Sequence, residues 1–216
     1  MKKRSVRTRI SYPALTIAAL ASAMILIQTS HSSGVRVIGV LDGDTIVVED
    51  KARVRLRFVD APERGLCGYE EATKEIRRLV SGKRVRIEET IPDQYGRGMS
   101  LVYVGKTLVN KEMVASGWVR YHHDTSQVTQ EIKSASDIAR QERRGIYGKC
   151  QSTDTPDIAG CVIKGNVDKN STARNYYLPG CAQYEFTIVE KDIGEAWFCT
   201  EKEAQAAGFV KAKTCK

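Results

Sequence analysis

The chain has 216 residues and a formal net charge of +8, room for one domain of ordinary size and a smaller companion. The charge is unevenly placed: residues 1–33 carry five Lys/Arg and no acid, residues 34–150 carry 21 basic and 17 acidic residues, and residues 151–216 carry 8 and 9. The excess of +4 in the middle segment suits a phosphate-bearing partner, whereas the net −1 of the last segment argues against a strong grip on nucleic acid there.

Residues 1–33 have the order of an export segment. A basic start (Lys2, Lys3, Arg4, Arg7, Arg9) is followed by an apolar run over 14–27 and then by small polar residues at 29–33. That run is shorter than the roughly 20 residues that span a bilayer, and the order basic, apolar, small-polar is that of a signal peptide. No A-x-A site marks a cut, so a cleaved signal and an uncleaved membrane anchor both stay open. A buried core helix fits less well, because nothing amphipathic breaks the run.

Next come three strands, at 35–41, 45–49 and 53–59, joined by turns at Asp42-Gly43-Asp44 and Glu49-Asp50-Lys51. In the third strand Val54, Leu56 and Phe58 alternate with Arg53, Arg55 and Arg57, which reads as half-buried with the arginines on one face. A helix over 69–80 has Ala72, Ile76, Leu79 and Val80 as its apolar stripe and ends at Ser81-Gly82-Lys83. Strands at 85–90 and 99–104 follow, then helices at 108–116 and 126–143. Five short strands with a helix after the third describe a mainly β fold with packed helices. It is compatible with a small closed barrel of the OB type, whose open face commonly receives oligonucleotides.

The expected domain spans 34–150. Residues 151–160 read as a linker, and 161–216 as a small module held together by disulfides or a metal. The six cysteines are Cys67, Cys150, Cys161, Cys181, Cys199 and Cys215. An even count behind an export signal favours disulfides, and the absence of C-x-x-C spacing argues against a zinc knuckle. Cys67 is expected to pair with Cys150 and the last four among themselves, with Cys181–Cys199 as one candidate pair.

Three patches carry candidate chemistry: LDGDT at 41–45, RLRFVDAPE at 55–63 and DQYGRG at 93–98. Asp44, Asp60 and Glu63 sit at strand edges, and three acids at one barrel mouth repel unless a cation joins them. Hard oxygen ligands without His or Cys favour Ca²⁺ or Mg²⁺. Taken alone, the D-G-D stretch is more simply a hairpin turn. Arg55 and Arg97 offer planar forks that suit the paired oxygens of a phosphodiester and the charge that grows on them during attack at phosphorus. Arg53 and Arg57 read better as surface charges or partners of nearby acids.

Together with LVNKEMVASGW at 108–118, these patches make residues 35–148 similar to the staphylococcal (thermonuclease-type) nuclease family. The resemblance implies an OB-type barrel that uses Ca²⁺ to cleave DNA and RNA, single-stranded or locally open, leaving a 3′-phosphate and a 5′-hydroxyl. By motif position it makes Asp44, Asp60 and the backbone carbonyl of Ala61 the calcium ligands, with Thr45 supporting. Glu63 becomes the acid that activates or orients water, and Arg55 and Arg97 the phosphate-gripping arginines. It implies no small-molecule cofactor, and a monomer is expected.

The chain departs from the family pattern at Ala61, where the family has threonine, and at Gln94, where the best-known member has lysine. The aromatic positions flanking the nucleotide fall near His123 and Thr125. Tyr95, Tyr121 and His123 are the candidate substrate contacts, with His122 a further one. Barrel packing is the simpler reading of Trp118, and for Tyr95 packing and base stacking are even. Stretches at 163–166, 176–181 and 197–209 resemble a small module attached to bacterial nuclease domains. The reading is therefore an exported nuclease, periplasmic, secreted or anchored through residues 14–27. The alternatives are a non-catalytic OB module that binds nucleic acid or a partner, and a surface adhesion protein working through its tail.

Overall fold

The computed structural model describes residues 34–93 and 95–215; residues 1–33, on which the expected export signal or anchor falls, lie outside the described residues, as do Gln94 and Lys216. Its first strand, β1 (Val35–Val40), pairs antiparallel with β2 (Thr45–Val48), which pairs with β3 (Arg53–Leu56). After β4 (Val59–Asp60) and helix α1 (Tyr69–Val80), β5 (Arg84–Pro92) returns to the other edge of β1 and pairs with β6 (Gly98–Val104). β3 and β6 then meet in parallel, Arg55 opposite Met99 and Leu56 opposite Ser100. That last pairing closes a ring of five strands, the expected barrel. Closure removes exposed sheet edges.

Alternation sets what fills the barrel. Ile46, Val48, Val54, Leu56, Val85, Leu101 and Val102 are buried, and Ile76, Leu79 and Val80 of α1 pack on them. Met113 and Val114 of α2 (Val109–Ser116) and Ile132 of α3 (Thr129–Gln141) join the same core. The stripe expected for α1 is the face that is buried.

The third strand is shorter than its alternation suggests. It stops at Leu56, and Arg57-Phe58 form a turn with Phe58 at φ 65° before β4 begins. A left-handed φ at an aromatic residue is costly and persists only where packing demands it. Phe58 is fully buried in the core, and that burial is the compensating gain. The turn also swings Arg57 inward. It is 3% exposed, neither a surface charge nor in line with Arg53 and Arg55, and it donates to Asp124 (2.7 Å), to Glu89 (3.0 Å) and to the Thr125 carbonyl (2.9 Å).

Asn110 ties this turn to the barrel. Its Oδ1 accepts from Val102 N, and its Nδ2 donates to the carbonyls of Arg57 and Ser100, all at 2.9 Å. Replacing Asn110 with Ala strands the Val102 N–H and the Arg57 carbonyl in the core, each costing about 1–3 kcal/mol, while the Ser100 carbonyl keeps its bond from Arg57 N at 3.0 Å. Urea unfolding of Asn110→Ala is therefore expected to show a loss of about 3 kcal/mol or more, among the larger single-site effects.

A short strand β8 (Arg120–Tyr121) pairs antiparallel with β4. β7 (Thr107–Leu108) folds back to pair antiparallel with β6, and the four-residue helix α4 (Ile146–Lys149) leads to Cys150. β9 (Gln151–Ser152) pairs with β12 (Val189–Glu190). A second sheet has the order β13-β10-β11-β14, from β10 (Ile163–Val167), β11 (Arg174–Tyr177), β13 (Trp197–Phe198) and β14 (Val210–Lys211). Helix α5 (Glu201–Ala206), capped by Thr200 Oγ1 accepting from Glu203 N, covers it over a small core of Ile163, Tyr176, Ala204 and Phe209. Residues 34 onward form one compact unit.

All six cysteines are paired: Cys67–Cys150, Cys161–Cys199 and Cys181–Cys215. The first pair is the expected one. Cys181 pairs with Cys215 rather than Cys199, because Cys199 follows β13, whose Phe198 lies opposite Ile163 and so reaches Cys161. A core as small as the C-terminal one gains from two such cross-links. Disulfides persist in extracellular and periplasmic compartments. Among the described residues no helix is long and apolar enough to cross a membrane.

A buried acid in this segment sets a pH dependence. Glu195 is 2% exposed and accepts from Asn166 Nδ2 and Val167 N at 2.8 Å and from Glu190 N at 2.7 Å. Burial pushes its carboxyl up to about 7, against the pull of those donors. The folded chain then holds a proton that the unfolded chain has released between the ordinary glutamate value and pH 7. Stability contributed by that proton is present in acid and lost as pH rises through this window, by about 2–3 kcal/mol. Thermal melts at pH 5 and pH 8 check this: Glu195→Gln is expected to narrow the difference between them.

Candidate active site

Five elements bring the expected residues to one end of the barrel. Asp44 lies in the turn between β1 and β2, which is closed by Leu41 N donating to the Thr45 carbonyl at 2.9 Å. Gly43 is more than a turn residue. A Cβ there would sit 2.6 Å from Ala72 Cβ and 2.8 Å from Ala61 Cβ, so only glycine lets the turn lie flat on α1 and on the loop after β4. Asp44 is thereby pressed inward and is 3% exposed.

Arg55 sits opposite Thr45 in the β2–β3 ladder and reaches both carboxylates. Its Nη1 donates to Asp44 Oδ1 at 2.9 Å, and its Nη2 lies 2.8 Å from Asp44 Oδ2 and 3.1 Å from Asp60 Oδ1. Asp44 also accepts from Thr45 Oγ1 at 2.7 Å and from Ala61 N at 3.3 Å. Burial pushes the Asp44 carboxyl up to about 7, while the Arg55 guanidinium pulls it the other way. Asp60, at the end of β4, is more open to solvent.

Glu63 follows on the exposed loop after Pro62. It lines a cleft of about 270 Å³ together with Asp42, Asp44, Arg55, Ala61 and Tyr69. Arg97 stands in the β5–β6 turn, where Asp93 Oδ1 accepts from the backbone N–H of both Tyr95 and Arg97. Its Nε donates to Asp93 Oδ2 at 2.6 Å, leaving the outer part of the fork toward solvent. Arg97 and Arg55 line a second cleft of about 470 Å³ with Phe58, Asp60, Met99 and His122. A third, of about 550 Å³, again holds both arginines, with Asp42 and Thr45. Arg55 lines all three and is the centre of the site.

The aromatic candidates separate. Tyr95 is 73% exposed, with the Arg97 guanidinium 5.1 Å from its ring centre. Tyr121 stacks on Phe58 at 6.2 Å, and its hydroxyl lies 3.5 Å from His123 Nδ1. The aromatic side chain on the 470 Å³ cleft beside Phe58 is His122, brought there by its N–H donating to the Phe58 carbonyl at 2.9 Å. Asp42 and Tyr69, which sequence reasoning passed over, line the Glu63 cleft; folding of the D-G-D turn against α1 is what places them.

The donor set can be tested against a cation. Among the described residues no three or more His, Cys, Asp and Glu side chains converge as a metal site. Two carboxylates do converge, on one guanidinium nitrogen, beside the Ala61 backbone. A pair of carboxylate oxygens already gathered around a positive charge, with no His or Cys, fits a hard cation that takes its remaining ligands from carbonyl and water.

With this geometry in place, similarity to known proteins is informative. A family model described as staphylococcal nuclease homologue matches residues 53–149. A protein of Escherichia coli O157:H7 named "Uncharacterized endonuclease" is 37% identical over 118 residues, which are 52% of this chain and 75% of that protein. The chain belongs to the staphylococcal nuclease homologue family. Protein ParB of Escherichia coli is 31% identical over 163 residues, 68% of this chain and 88% of ParB. Staphylococcal-like nuclease CAN1 of Arabidopsis thaliana is 29% identical over 120 residues, 56% of this chain and 36% of CAN1. Family membership supports a nuclease hydrolase whose substrate is nucleic acid. The family match begins at Arg53, so Asp44 falls outside it; the hydrogen bonds of Asp44 to Arg55 and Ala61 are what join it to the matched part.

Proposed function

We propose that this protein is an exported, Ca²⁺-dependent endonuclease that hydrolyses DNA and RNA, single-stranded or locally open, to 3′-phosphate products, acting as a monomer. The observation that carries this reading is Arg55, which gathers Asp44 and Asp60 on one side of a cleft walled by Glu63 and on the other meets a cleft walled by Arg97. Asp44, Asp60 and the Ala61 carbonyl would hold the cation, with Thr45 fixing the Asp44 carboxylate. Bound Ca²⁺ supplies Lewis-acid polarisation of the phosphate and neutralises its charge.

The chain's own residues do the rest. Glu63 accepts a proton from, or orients, the attacking water. Arg55 and Arg97 donate to the phosphate oxygens on which charge accumulates. The water oxygen bonds to phosphorus as the P–O5′ bond breaks, and the 5′-oxygen leaves with the bonding pair and takes its proton from solvent to become the hydroxyl. Arginine is a poor acid, so Arg97 acts by charge and hydrogen bonding. Tyr95, beside Arg97 and open to solvent, would stack on an unpaired base, and Tyr121, His122 and His123 are the remaining candidate contacts.

Cleavage of labelled single-stranded DNA, RNA and duplex DNA, with Ca²⁺ and then with excess chelator, tests the reading. Cutting that needs Ca²⁺ and leaves 3′-phosphate ends is expected. Tight binding with no cutting under any condition would instead make the barrel a binding module.

A further inference from the structure

The C-terminal segment reaches the site from behind. β4, which ends in Asp60, and β8 are two residues each, and a ladder that short is marginal on its own. In it Asp60 lies directly opposite Arg120, and Val59 opposite Tyr121. The Arg120 side chain is pinned by the C-terminal segment: Nε donates to Asp192 Oδ2 at 2.6 Å and Nη2 to Glu190 Oε1 at 3.1 Å. Asp192 is 2% exposed, so this pair is shielded from water and salt. Removing one partner of such a pair is costly, because the other charge is left buried and alone.

Two more ties hold the same corner. Lys191 N, between the two acids, donates to the Cys150 carbonyl at 2.8 Å, and Cys150 is bonded to Cys67, four residues after Glu63. The turn at Gly194 packs beside Leu66, whose N–H donates to the Glu63 carbonyl at 3.0 Å. Strand and loop, carrying Asp60 and Glu63, are thus both held from the C-terminal side. The cleft at this junction, about 610 Å³, is lined by Arg120, Lys169 and Arg140; Glu190 and Asp192 neutralise the first two, and the Arg140 guanidinium lies 5.3 Å from the centre of the Tyr147 ring. The cluster is built to join rather than to receive an anion.

We infer that Arg120, Asp192 and Glu190 are positioning residues through which the C-terminal segment fixes Asp60 and so sets the cation affinity of the site. The cation half of this inference rests on the function proposed above; the bracing half does not. Outer groups that hold a metal ligand typically change metal affinity by 10–100-fold when lost.

Asp192→Asn in the full chain separates the possibilities. Amide hydrogen exchange is read at His122, which bonds across to Phe58, and at Val102 in the barrel as an internal control. Ca²⁺ affinity is read by calorimetry without substrate. Expected are faster exchange at His122 with Val102 unchanged, and Ca²⁺ binding weakened about ten-fold. In cleavage assays the Ca²⁺ midpoint rises while KM at saturating Ca²⁺ is unmoved, a split that general destabilisation does not give. Should Asp192→Asn fail to fold, Glu190→Gln, which removes one arm of the cluster, is expected to show the same pattern at about a third of the size. His122 exchange and Ca²⁺ affinity both equal to wild type would overturn the inference and leave the proposed function standing. A wild-type chain that binds no Ca²⁺ would overturn the cation half together with that function, and His122 exchange would then decide the bracing half alone.

Discussion

Glu63→Gln is expected to lower the cleavage rate at saturating substrate by about 10²–10⁴-fold, the range spanned by a positioned general base. Stability should not follow. Glu63 is exposed on the loop after Pro62, and surface substitutions of this kind usually shift stability by less than about 0.5 kcal/mol. Nearly equal size keeps the loop turn, in which the Glu63 carbonyl accepts from Leu66 N, since that bond uses backbone only. Glutamine keeps a hydrogen-bond acceptor and removes the charge, so it also distinguishes two roles. A residue that only orients water retains much of the rate as glutamine, whereas a base does not. Single-turnover cleavage beside a thermal melt makes the measurement. An unchanged rate would take Glu63 out of the chemistry, and a lowered melting temperature would make the loss structural.

The site was more legible in sequence than the scaffold that holds it, for physical reasons that differ by residue. Asp44, Arg55, Asp60 and Arg97 are picked out by the DGDT, RLRFVDAPE and DQYGRG motifs through their resemblance to the family rather than by alternation: Arg55 lies in an alternating strand, Asp44 and Arg97 in turns, and Asp60 after the break at Arg57-Phe58. β1, β2, β5, β6 and α1 follow from period and turn chemistry alone, because each buries one face against the same core. The break at Arg57-Phe58 did not, because alternation continues through it; only the burial of Phe58 against the barrel selects the left-handed turn. Arg57 then becomes a buried ion partner of Asp124 and Glu89 that local sequence does not distinguish from Arg53. The β4–β8 ladder is too short to carry a period, and with it went the placement of His122. Arg120 and Asp192 are 72 residues apart, and neither sits in a pattern. Pairing of the last four cysteines depended on strand register that short, irregular segments do not announce.

Arg55→Ala is expected to couple catalysis, stability and the cation in one variant. The Arg55 fork is the charge partner of Asp44, which is buried, and of Asp60. Removing it leaves a buried carboxylate facing a second one. Loss of one partner from a buried pair costs about 3–5 kcal/mol, which for a chain of this size lowers Tm by roughly 10 °C. Part of that cost is avoided by protonation, since burial already holds the Asp44 carboxyl up at about 7; the loss is therefore expected to be larger at pH 8 than at pH 5. Calcium changes the balance in the opposite sense from a simple packing defect. With Arg55 gone, a divalent cation becomes the partner that the two carboxylates lack, so Ca²⁺ should raise the Tm of Arg55→Ala by more than it raises that of wild type. Cleavage is expected to stay low even at saturating Ca²⁺, by about 10²–10³-fold, because the donor to the phosphate oxygens is missing. Thermal melts with Ca²⁺ and with chelator, run beside the cleavage assay, read all three effects. An equal Ca²⁺ shift in both proteins would mean that the cation does not bind between Asp44 and Asp60.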